Sequence, residues 1–351
     1  MSKRIAFVTE EYSESEFSSG GVKLNYELIL KLIDKGYSVD IFSKKYLIKN
    51  NIANNYFDFE ELNKININAN YDKIISEKGI YPSDITYIHD HSYKYRFPKM
   101  YKSKLSQFLY KLFVFKKHNK RIIKDKLIKQ NLDKTSKIVV SSNILKQDII
   151  KNFAQNEDKI FILPPAVNQN ETAKYRQKSD FTIFGLSAIG LKRKGCYAVF
   201  KAVKKLRKTH KYFLVKIIYP KYKTNLLLQL YLKLNKLDNY IKFVPIQKAM
   251  SEFYSTIDGM LMPSIVEPFG MVAIEAMSNY KPCIATKCCG ACDIINDDAL
   301  ICHDENLSEY MKTIIEMDET EYEKLAKDSY EKVKDMTWEN FCNQYANILN
   351  K

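Results

Sequence analysis

The chain has 351 residues, 46% of them hydrophobic, which suits two globular domains of ordinary size rather than one simple core. Lysine and arginine outnumber aspartate and glutamate by 56 to 41, and the resulting charge of +15 favours a polyanionic partner: nucleic acid, an anionic membrane face or a phosphorylated substrate. The seven cysteines show no framework spacing and no run of 18 apolar residues occurs, so we expect a cytoplasmic protein with reduced thiols and no membrane span.

The N-terminal residues predict a β-α-β unit. A buried strand over residues 4–9 has an apolar run too short for a signal peptide, and a helix from Val22 to about Lys35 and a strand over 38–43 follow. Gly20 and Gly21 precede the helix and would let backbone amides approach a phosphate, although a plain turn explains such a pair equally well. Residues 48–80 are rich in asparagine and predict no clear element.

A histidine cluster follows the next predicted strand, residues 85–89. His89, Asp90 and His91 stand at the carboxyl end of that strand, which is where ligands bind in open α/β sheets. A metal pair or an ordinary polar loop would explain the same residues, and the pattern by itself leaves the three interpretations open.

Residues 99–129 form the most basic stretch and carry apolar side chains at helical spacing. They predict a basic amphipathic helix, which suits either an anionic membrane surface or a core-facing position with a solvated lysine face. The apolar residues are Leu105, Phe108, Leu109, Leu112, Phe113 and Phe115, among Lys102, Lys104, Lys111, Lys116, Lys117, Lys120 and Arg121.

A strand over 138–142 and a helix over 143–152 complete the first half, and the polar segment from Gln169 to Ser179 predicts the hinge. We therefore expect one domain over residues 1–170 and a second over 178–335. Strands and helices alternate in both, which predicts two doubly wound α/β domains facing one cleft.

Near the start of the second domain, Lys192, Arg193 and Lys194 precede Gly195 and a predicted helix. Three cations at a helix entrance would clamp a diphosphate and stabilise its charge as it leaves. A solvated basic turn is the alternative.

The most informative stretch is residues 263–286, PSIVEPFGMVAIEAMSNYKPCIAT. Pro268 and Gly270 prevent a continuous helix, so Glu267 is predicted on a loop and Glu275 on the second turn of the helix that follows. Two carboxylates on either side of a phosphate-sized helix end would suit a nucleotide sugar, whereas two satisfied glutamates on an ordinary loop and helix are the alternative. The free amides expected at that helix end are those of Gly270, Met271 and Val272.

This stretch resembles the glutamate-seven-glutamate signature of retaining GT-B glycosyltransferases, especially family 4, which are glycosyl transferases of group 1. Every position of E-P-F-G-x-x-x-x-E is matched, and the glycine pair, the HDH cluster and the KRKG turn stand in the same order, so the resemblance covers most of the chain. It implies the GT-B fold, with two Rossmann-like domains facing a central cleft, the acceptor on the first domain and the nucleotide sugar on the second. It also implies that a final helix over 338–351 packs back on the first domain.

The resemblance assigns roles to individual residues. The implied catalytic residues are His91 at the reacting face, Glu267 at the transferred sugar and Lys194 at the diphosphate, while Glu275 would hold the ribose hydroxyls. Ala188 stands where the family carries an arginine, which leaves Lys192 or Arg193 as the second clamp. The other implied substrate-binding residues are Gly20, Gly21, Phe269, Gly270, Met271 and Val272.

The expected function is a metal-independent, retaining hexosyl transfer from a UDP- or GDP-linked sugar to a glycan or lipid-linked acceptor. Such a reaction would serve bacterial cell-surface polysaccharide or lipopolysaccharide synthesis, with residues 99–129 as the contact to the inner membrane face. No Asp-x-Asp occurs, which disfavours a metal-dependent GT-A route. No cofactor is expected, and adjacent cysteines rarely fit one zinc tetrahedron, which disfavours a site from Cys288, Cys289 and Cys292 with Cys302 or His303 as the fourth ligand.

Two other functions stay open. A GT-B nucleotide-sugar epimerase would use the same donor without an acceptor sugar. A basic polyanion-binding protein would use the charge alone, but it leaves the glutamate block unexplained, so nucleic acid is not expected as a partner.

Overall fold

The computed structural model describes residues 3–14, 20–48, 51–65, 67–169, 173–219, 225–246, 250–302 and 306–351. The chain divides into two compact units: unit 1 is Met1–Ala166 with Met336–Lys351, and unit 2 is Val167–Asp335. In the described ranges no helix has the length and apolar character needed to cross a membrane.

Unit 1 is built on a seven-stranded parallel sheet in the order β5-β3-β1-β6-β7-β8-β9, with β2 and β4 paired separately. The strands are β1 Arg4–Thr9, β2 Tyr12–Ser13, β3 Ser38–Ser43, β4 Tyr46–Leu47, β5 Asn55–Asp58, β6 Lys73–Glu77, β7 Ile85–Ile88, β8 Lys137–Val140 and β9 Ile160–Ile162. β1 is apolar along its length because a central parallel strand is buried on both faces, and all its residues after Arg4 are buried.

The helices of unit 1 before the hinge are α1 Gly20–Asp34, α2 Ile67–Asn70, α3 Tyr93–Met100, α4 Lys104–Phe113, α5 Phe115–Asp133 and α6 Asn143–Phe153. Serine side chains cap three of them by accepting a backbone hydrogen bond three residues further on: Ser92 for α3, Ser103 for α4 and Ser142 for α6. Such caps satisfy amides that a helix start otherwise leaves without a partner.

Unit 2 contains a six-stranded parallel sheet in the order β12-β11-β10-β13-β14-β15. Its strands are β10 Thr182–Ser187, β11 Phe213–Ile218, β12 Ile241–Val244, β13 Gly259–Met262, β14 Cys283–Thr286 and β15 Ile301–Cys302. Its helices are α7 Cys196–Leu206, α8 Leu226–Leu234, α9 Met250–Ser255, α10 Met271–Met277, α11 Cys292–Ile295, α12 Leu307–Glu316 and α13 Glu319–Glu331.

The last helix, α14 Trp338–Asn350, belongs to unit 1. It packs along α1, and Phe341, Tyr345 and Leu349 are buried in the same core cluster as Leu28 and Leu32. Unit 1 is therefore assembled from two segments that are separated in sequence by the whole of unit 2.

Several expected boundaries differ from the structure. α1 begins at Gly20 rather than Val22, because the glycine pair forms its first turn, and residues 15–19 lie outside the described ranges. The expectation of one helix over residues 99–129 is wrong: the stretch spans α3, α4 and α5, broken where Ser103 caps α4 and where Val114 leaves helical geometry at φ −124°, ψ 30°. The unassigned residues 48–80 contain β5, α2 and β6.

Candidate functional site

Each sheet has a point at which the strand order reverses, and the predicted site residues gather at these points. In unit 2 the chain runs outward from β10 through β11 to β12, then returns to β13 on the other side of β10. Ligands of such sheets bind beyond the carboxyl ends of the two strands at this switch. Here those ends lead into residues 188–195 and residues 263–267.

The two segments are held in direct contact. The Ile265 amide donates a 2.9 Å hydrogen bond to the carbonyl of Arg193. Gly195 caps α7 in the left-handed region at φ +73°, and a Cβ there would lie 1.9 Å from the carbonyl oxygen of Pro263. Only glycine fits both the conformation and the space, which explains why the basic turn ends in Lys-Gly.

Glu267 is the centre of this contact. Its Oε2 accepts hydrogen bonds from Arg193 Nη1 at 2.8 Å and Lys194 Nζ at 2.7 Å. The side chains of Glu267 and Lys194 are nearly buried, whereas that of Arg193 is 39% exposed. Two cations on one carboxylate leave one net positive charge beyond the carboxyl end of the sheet. Such an arrangement can bind a diphosphate.

α10 follows directly, with Gly270 at its N-cap in the left-handed region at φ +104°. A Cβ on Gly270 would lie 2.5 Å from the sulfur of Met262, so this glycine also allows close packing. The helix has seven residues. Within the described part of the chain, the backbone amides of Gly270, Met271 and Val272 donate no hydrogen bond, and they are available to an anion.

Glu275 lies on α10 and is half-buried. Its Oε2 accepts a 2.7 Å hydrogen bond from the hydroxyl of Tyr254 on α9. Burial and the neighbouring Glu275 carboxylate keep the pKa of Tyr254 well above its ordinary value, so the phenol stays a donor and fixes the carboxylate. Phe269, in contrast, is buried in the core, so a ligand could meet it only through its backbone.

The cysteine-rich loop after β14 supports Glu267 from the other side. Glu267 and Cys289 form an isolated parallel bridge, with the Glu267 amide bonded to the Cys288 carbonyl at 3.2 Å. The Cys289 and Cys292 thiols donate to backbone carbonyls, and burial raises the pKa of Cys292 to about 12. No group of three or more His, Cys, Asp or Glu in the described residues is arranged to hold a metal, and His303 lies outside them.

Unit 1 has its own switch point, between β1 and β6. Thr9 ends β1 and donates its hydroxyl to the buried carboxylate of Glu77, which ends β6. His89, just after β7, places Nε2 3.4 Å from Glu77 Oε1. A Cβ on Gly21 would lie 2.4 Å from that Nε2, so the absence of a side chain at Gly21 makes room for the imidazole.

His91 forms a second buried pair. Its Nδ1 lies 2.8 Å from Asp148 Oδ2, and Asp148 also accepts from the Ser92 amide, the Ser92 hydroxyl and Asn152. Burial would raise the pKa of Asp148, but the hydrogen bonds from His91, Ser92 and Asn152 outweigh it, and this pKa lies below its ordinary value. The Nε2 of His91 is buried and has no protein partner in the described residues. A charged Asp148 keeps the proton on Nδ1, which leaves Nε2 as an acceptor.

The structure thus brings some predicted residues together directly. Arg193, Lys194 and Glu267 touch one another, whereas Lys192 makes other contacts. Gly20 and Gly21 lie in the first turn of α1. Three residues that bond to neighbours at these sites were not predicted from the sequence: Glu77, Asp148 and Tyr254. Glu77 follows the apolar pair Ile74 and Ile75, whose position after a polar segment indicates a short strand that ends near Glu77. Asp148 and Tyr254 stand inside helices, where no local pattern marks them.

Comparison with known protein families identifies a match for unit 2. Residues 167–335, just under half of the chain, match the model of the family described as glycosyl transferases group 1. A probable sucrose-phosphate synthase of Thermosipho melanesiensis is 28% identical over 214 residues, which cover 58% of this chain and 50% of that protein. This match spans half the length of the curated relative.

Solved structures match over nearly the whole chain. WaaG, a glycosyltransferase involved in lipopolysaccharide biosynthesis, superposes with a TM-score of 0.73 at 14% identity, covering 98% of this chain and 99% of WaaG. HepE of Anabaena, in complex with UDP and glucose, gives 0.73 at 13% identity over 99% and 100%. Sucrose-phosphate synthase of Thermosynechococcus elongatus gives 0.71 at 16% identity over 99% and 98%.

These structural likenesses agree with the α/β architecture of two parallel-sheet units. Residues 167–335 therefore belong to the glycosyl transferases group 1 family, and the chain has the GT-B fold.

Proposed function

We propose that this chain is a retaining glycosyltransferase that moves a sugar from a nucleotide-sugar donor to a hydroxyl of a glycan or glycolipid. The observation that carries the proposal is the pair of cations, Arg193 and Lys194, that one carboxylate, Glu267, holds at the switch point of unit 2. HepE, which shares the fold, has been solved with UDP and with UDP-glucose, and this supports a uridine nucleotide as the first donor to test.

In this proposal the diphosphate of the donor binds between Lys194, Arg193 and the free amides of residues 270–272. As the glycosidic bond breaks, negative charge grows on the departing phosphate, and fixed cations stabilise it without having to reorganise. Glu267 has two functions: it keeps both cations in place, and its remaining acceptor capacity is available to hydroxyls of the transferred sugar. Positive side chains acting on the phosphate make the reaction metal-independent.

Two further groups are given roles in the proposed reaction, one in each unit. Glu275, held by Tyr254, accepts hydrogen bonds from the ribose hydroxyls of the nucleotide. On unit 1, His91 offers a deprotonated Nε2 because Asp148 binds its other nitrogen, and a sugar hydroxyl donates to it. Gly20 and Gly21 contribute backbone amides at the start of α1. Retention of the anomeric configuration is proposed from the E-P-F-G block, and NMR of the anomeric proton in the product tests it directly.

The first experiment is thermal stabilisation by a panel of UDP- and GDP-sugars in the presence of EDTA. We expect one donor to raise the melting temperature of the native chain, and Glu275→Ala and Lys194→Gln to reduce that shift. Lys208→Gln, which removes an exposed charge elsewhere on unit 2, serves as the control. No shift with any donor in folded protein would count against the proposal. Isomerisation of the free donor would favour an epimerase instead.

We further propose that the acceptor is lipid-linked and that unit 1 meets an anionic membrane through α4. α4 packs inward through Tyr110, whose ring lies 4.4 Å from that of Tyr101, and leaves its apolar stripe in solvent. The stripe consists of Leu105, Phe108, Leu109, Leu112 and Phe113, each between 41% and 79% exposed. Lysines surround it, and each basic residue near an anionic surface contributes about 1 kcal/mol.

A role in cell-surface polysaccharide or lipopolysaccharide synthesis at the inner membrane face follows from that proposal, and the likeness to WaaG supports it. Co-sedimentation with vesicles of phosphatidylglycerol and phosphatidylcholine measures the contact. We expect Phe108→Ser with Leu112→Ser to abolish it, whereas the same change at Leu127, exposed on α5, should leave most of it. Equal binding by both variants would place the membrane contact elsewhere.

A further inference from the structure

Unit 2 contains a polar cavity at the edge of the sheet opposite to the proposed donor site. The cavity has a volume of about 440 Å³ and lies near the amino ends of β10, β13 and β14, whereas the proposed donor site lies beyond their carboxyl ends. Its wall comes from the segment before β10, from α9 and from the residues that follow α10. The charged and hydroxyl-bearing side chains of this wall include Lys174, Tyr175, Arg176, Glu252, Ser255 and Lys281.

Lys281 is the unusual member of this wall. It is only 2% exposed, although lysine is among the residue types least often fully buried. Its Nζ has no hydrogen-bond or ion-pair partner among the described residues, and it is not one of the fully buried atoms, so it reaches the cavity. The carboxylate that acts on the charge of Lys281 is the buried Asp258. It already accepts hydrogen bonds from Arg176 and from the amide of Ile183. A cation that is largely removed from water and has no partner is costly, and an anion bound in the cavity would offset that cost.

The pKa of Lys281 agrees with this interpretation. Burial, together with the neighbouring Arg176, lowers the pKa of Lys281 to about 8, and Asp258 offsets only part of that effect. Most of the ammonium is therefore still protonated at pH 7. An anion in the cavity would raise this pKa again, because it would stabilise the charged form.

The remaining wall residues define what kind of anion fits. The wall carries three cations, Lys174, Arg176 and Lys281, against one carboxylate, Glu252. Arg176 is already paired with Asp258 behind the wall, so one positive charge is left for a ligand. Ser255, Tyr175 and Asn279 also belong to the wall, their donors bonded to Glu252, Glu319 and Glu275, and the volume exceeds that of a bare phosphate ion. Cavities of about 300–1,000 Å³ hold small metabolites.

We propose that this cavity is a second ligand site, in which Lys281 binds the phosphate of a phosphorylated polyol about as large as a sugar phosphate. The ligand would contact residues 174–176, which lead from the hinge segment into β10, and would neutralise the charge that the protein leaves unpaired. The site is separate from the proposed donor site, since the two occupy opposite edges of the same sheet and share no residue.

Isothermal titration of the full chain with glucose 6-phosphate, and separately with inorganic phosphate, tests the proposal. We expect glucose 6-phosphate to bind, and Lys281→Met to weaken it at least tenfold. Lys174→Gln should weaken it severalfold, and Lys208→Gln, the matched charge change outside the cavity, should leave it unchanged. Equal binding of inorganic phosphate would show that the phosphate group suffices, which still supports an anion site at Lys281.

Two controls distinguish this site from the proposed donor site and from a purely structural role of Lys281. Lys194→Gln removes a cation of the proposed donor site, so retained binding in that variant distinguishes failure of this inference from failure of the proposed transferase. Without ligand, Lys281→Met should melt no lower than the native chain, because it removes an uncompensated buried charge, whereas loss of a purely structural lysine would lower the melting temperature. Unchanged affinity in Lys281→Met, or no binding of either probe to the folded native chain, would overturn the inference. If Lys281→Met does not fold, the affinities of Lys174→Gln and Lys208→Gln for glucose 6-phosphate are compared instead, and equal affinities would overturn the inference.

Discussion

Replacing Asp148 with asparagine tests how the buried His91 pair supports unit 1. The carboxylate accepts four hydrogen bonds, from His91, from the amide and hydroxyl of Ser92, and from Asn152. An amide has the same shape but one acceptor oxygen, so its NH₂ group meets donors and about two of the bonds are lost. At about 1.5 kcal/mol for each bond to a charged group, the loss is about 3 kcal/mol. For a unit of this size that corresponds to a fall in melting temperature of about 6–12 °C.

The pH dependence of unfolding checks the same pair independently. The folded pKa of Asp148 is depressed, so its contribution to stability is complete above the unfolded pKa, about 3.9, and is lost as the pH falls through the folded value. Urea unfolding between pH 3 and pH 6 should therefore show a steeper acid loss in the native chain than in Asp148→Asn. The exposed Asp158→Asn is the control. A change below about 0.5 kcal/mol in Asp148→Asn would refute the argument that the carboxylate is held by these bonds.

Three further substitutions have defined outcomes. Gly21→Ala pushes a methyl group to 2.4 Å from His89 Nε2, and overpacking of this kind should cost about 1–3 kcal/mol in urea unfolding; a neutral result would mean that the imidazole moves freely. Gly195→Ala meets both a positive φ and a backbone carbonyl, so unit 2 should lose more stability than unit 1 by hydrogen exchange, and equal losses would argue against a local clash. Tyr254→Phe removes the hydroxyl that fixes Glu275, which should raise the donor KM severalfold with little change in kcat. An unchanged KM would show that the position of Glu275 does not matter for donor binding.

The fold was largely predictable because parallel strands carry a strong local pattern. β1 and β3 begin and end where expected, since continuous apolar runs bounded by polar residues identify buried strands. The sequence pattern does not predict β6, because the strand is short and follows an asparagine-rich region, and its partner β1 lies 68 positions earlier. The spacing of apolar residues over 99–129 indicates their amphipathic character but not the turn that Ser103 caps, so the pattern predicts one helix where the structure has three.

The sequence predicts the motifs of the site, but it does not predict which of their side chains bond to one another. Glu267 and Lys194 were both expected to face the ligand, yet nothing local indicates that they bond to each other across 73 positions. Asp148 illustrates the limit more clearly. A lone aspartate in the middle of a helix usually faces solvent, and only the approach of His91, 57 positions earlier, makes it a buried partner. The α8 helix shows the converse, because its leucines at 226, 227, 230 and 234 are exposed despite their apolar pattern.

The return of α14 to unit 1 has a consequence for the order in which the protein forms on the ribosome. Phe341, Tyr345 and Leu349 supply one side of the core around α1, and they emerge only after all of unit 2 has been translated. Unit 2 is continuous in sequence and can acquire its native core first, although its residues follow most of unit 1. Until α14 arrives, the part of the α1 surface that packs against it stays uncovered, and exposed apolar surface of this kind makes a folding intermediate prone to aggregation.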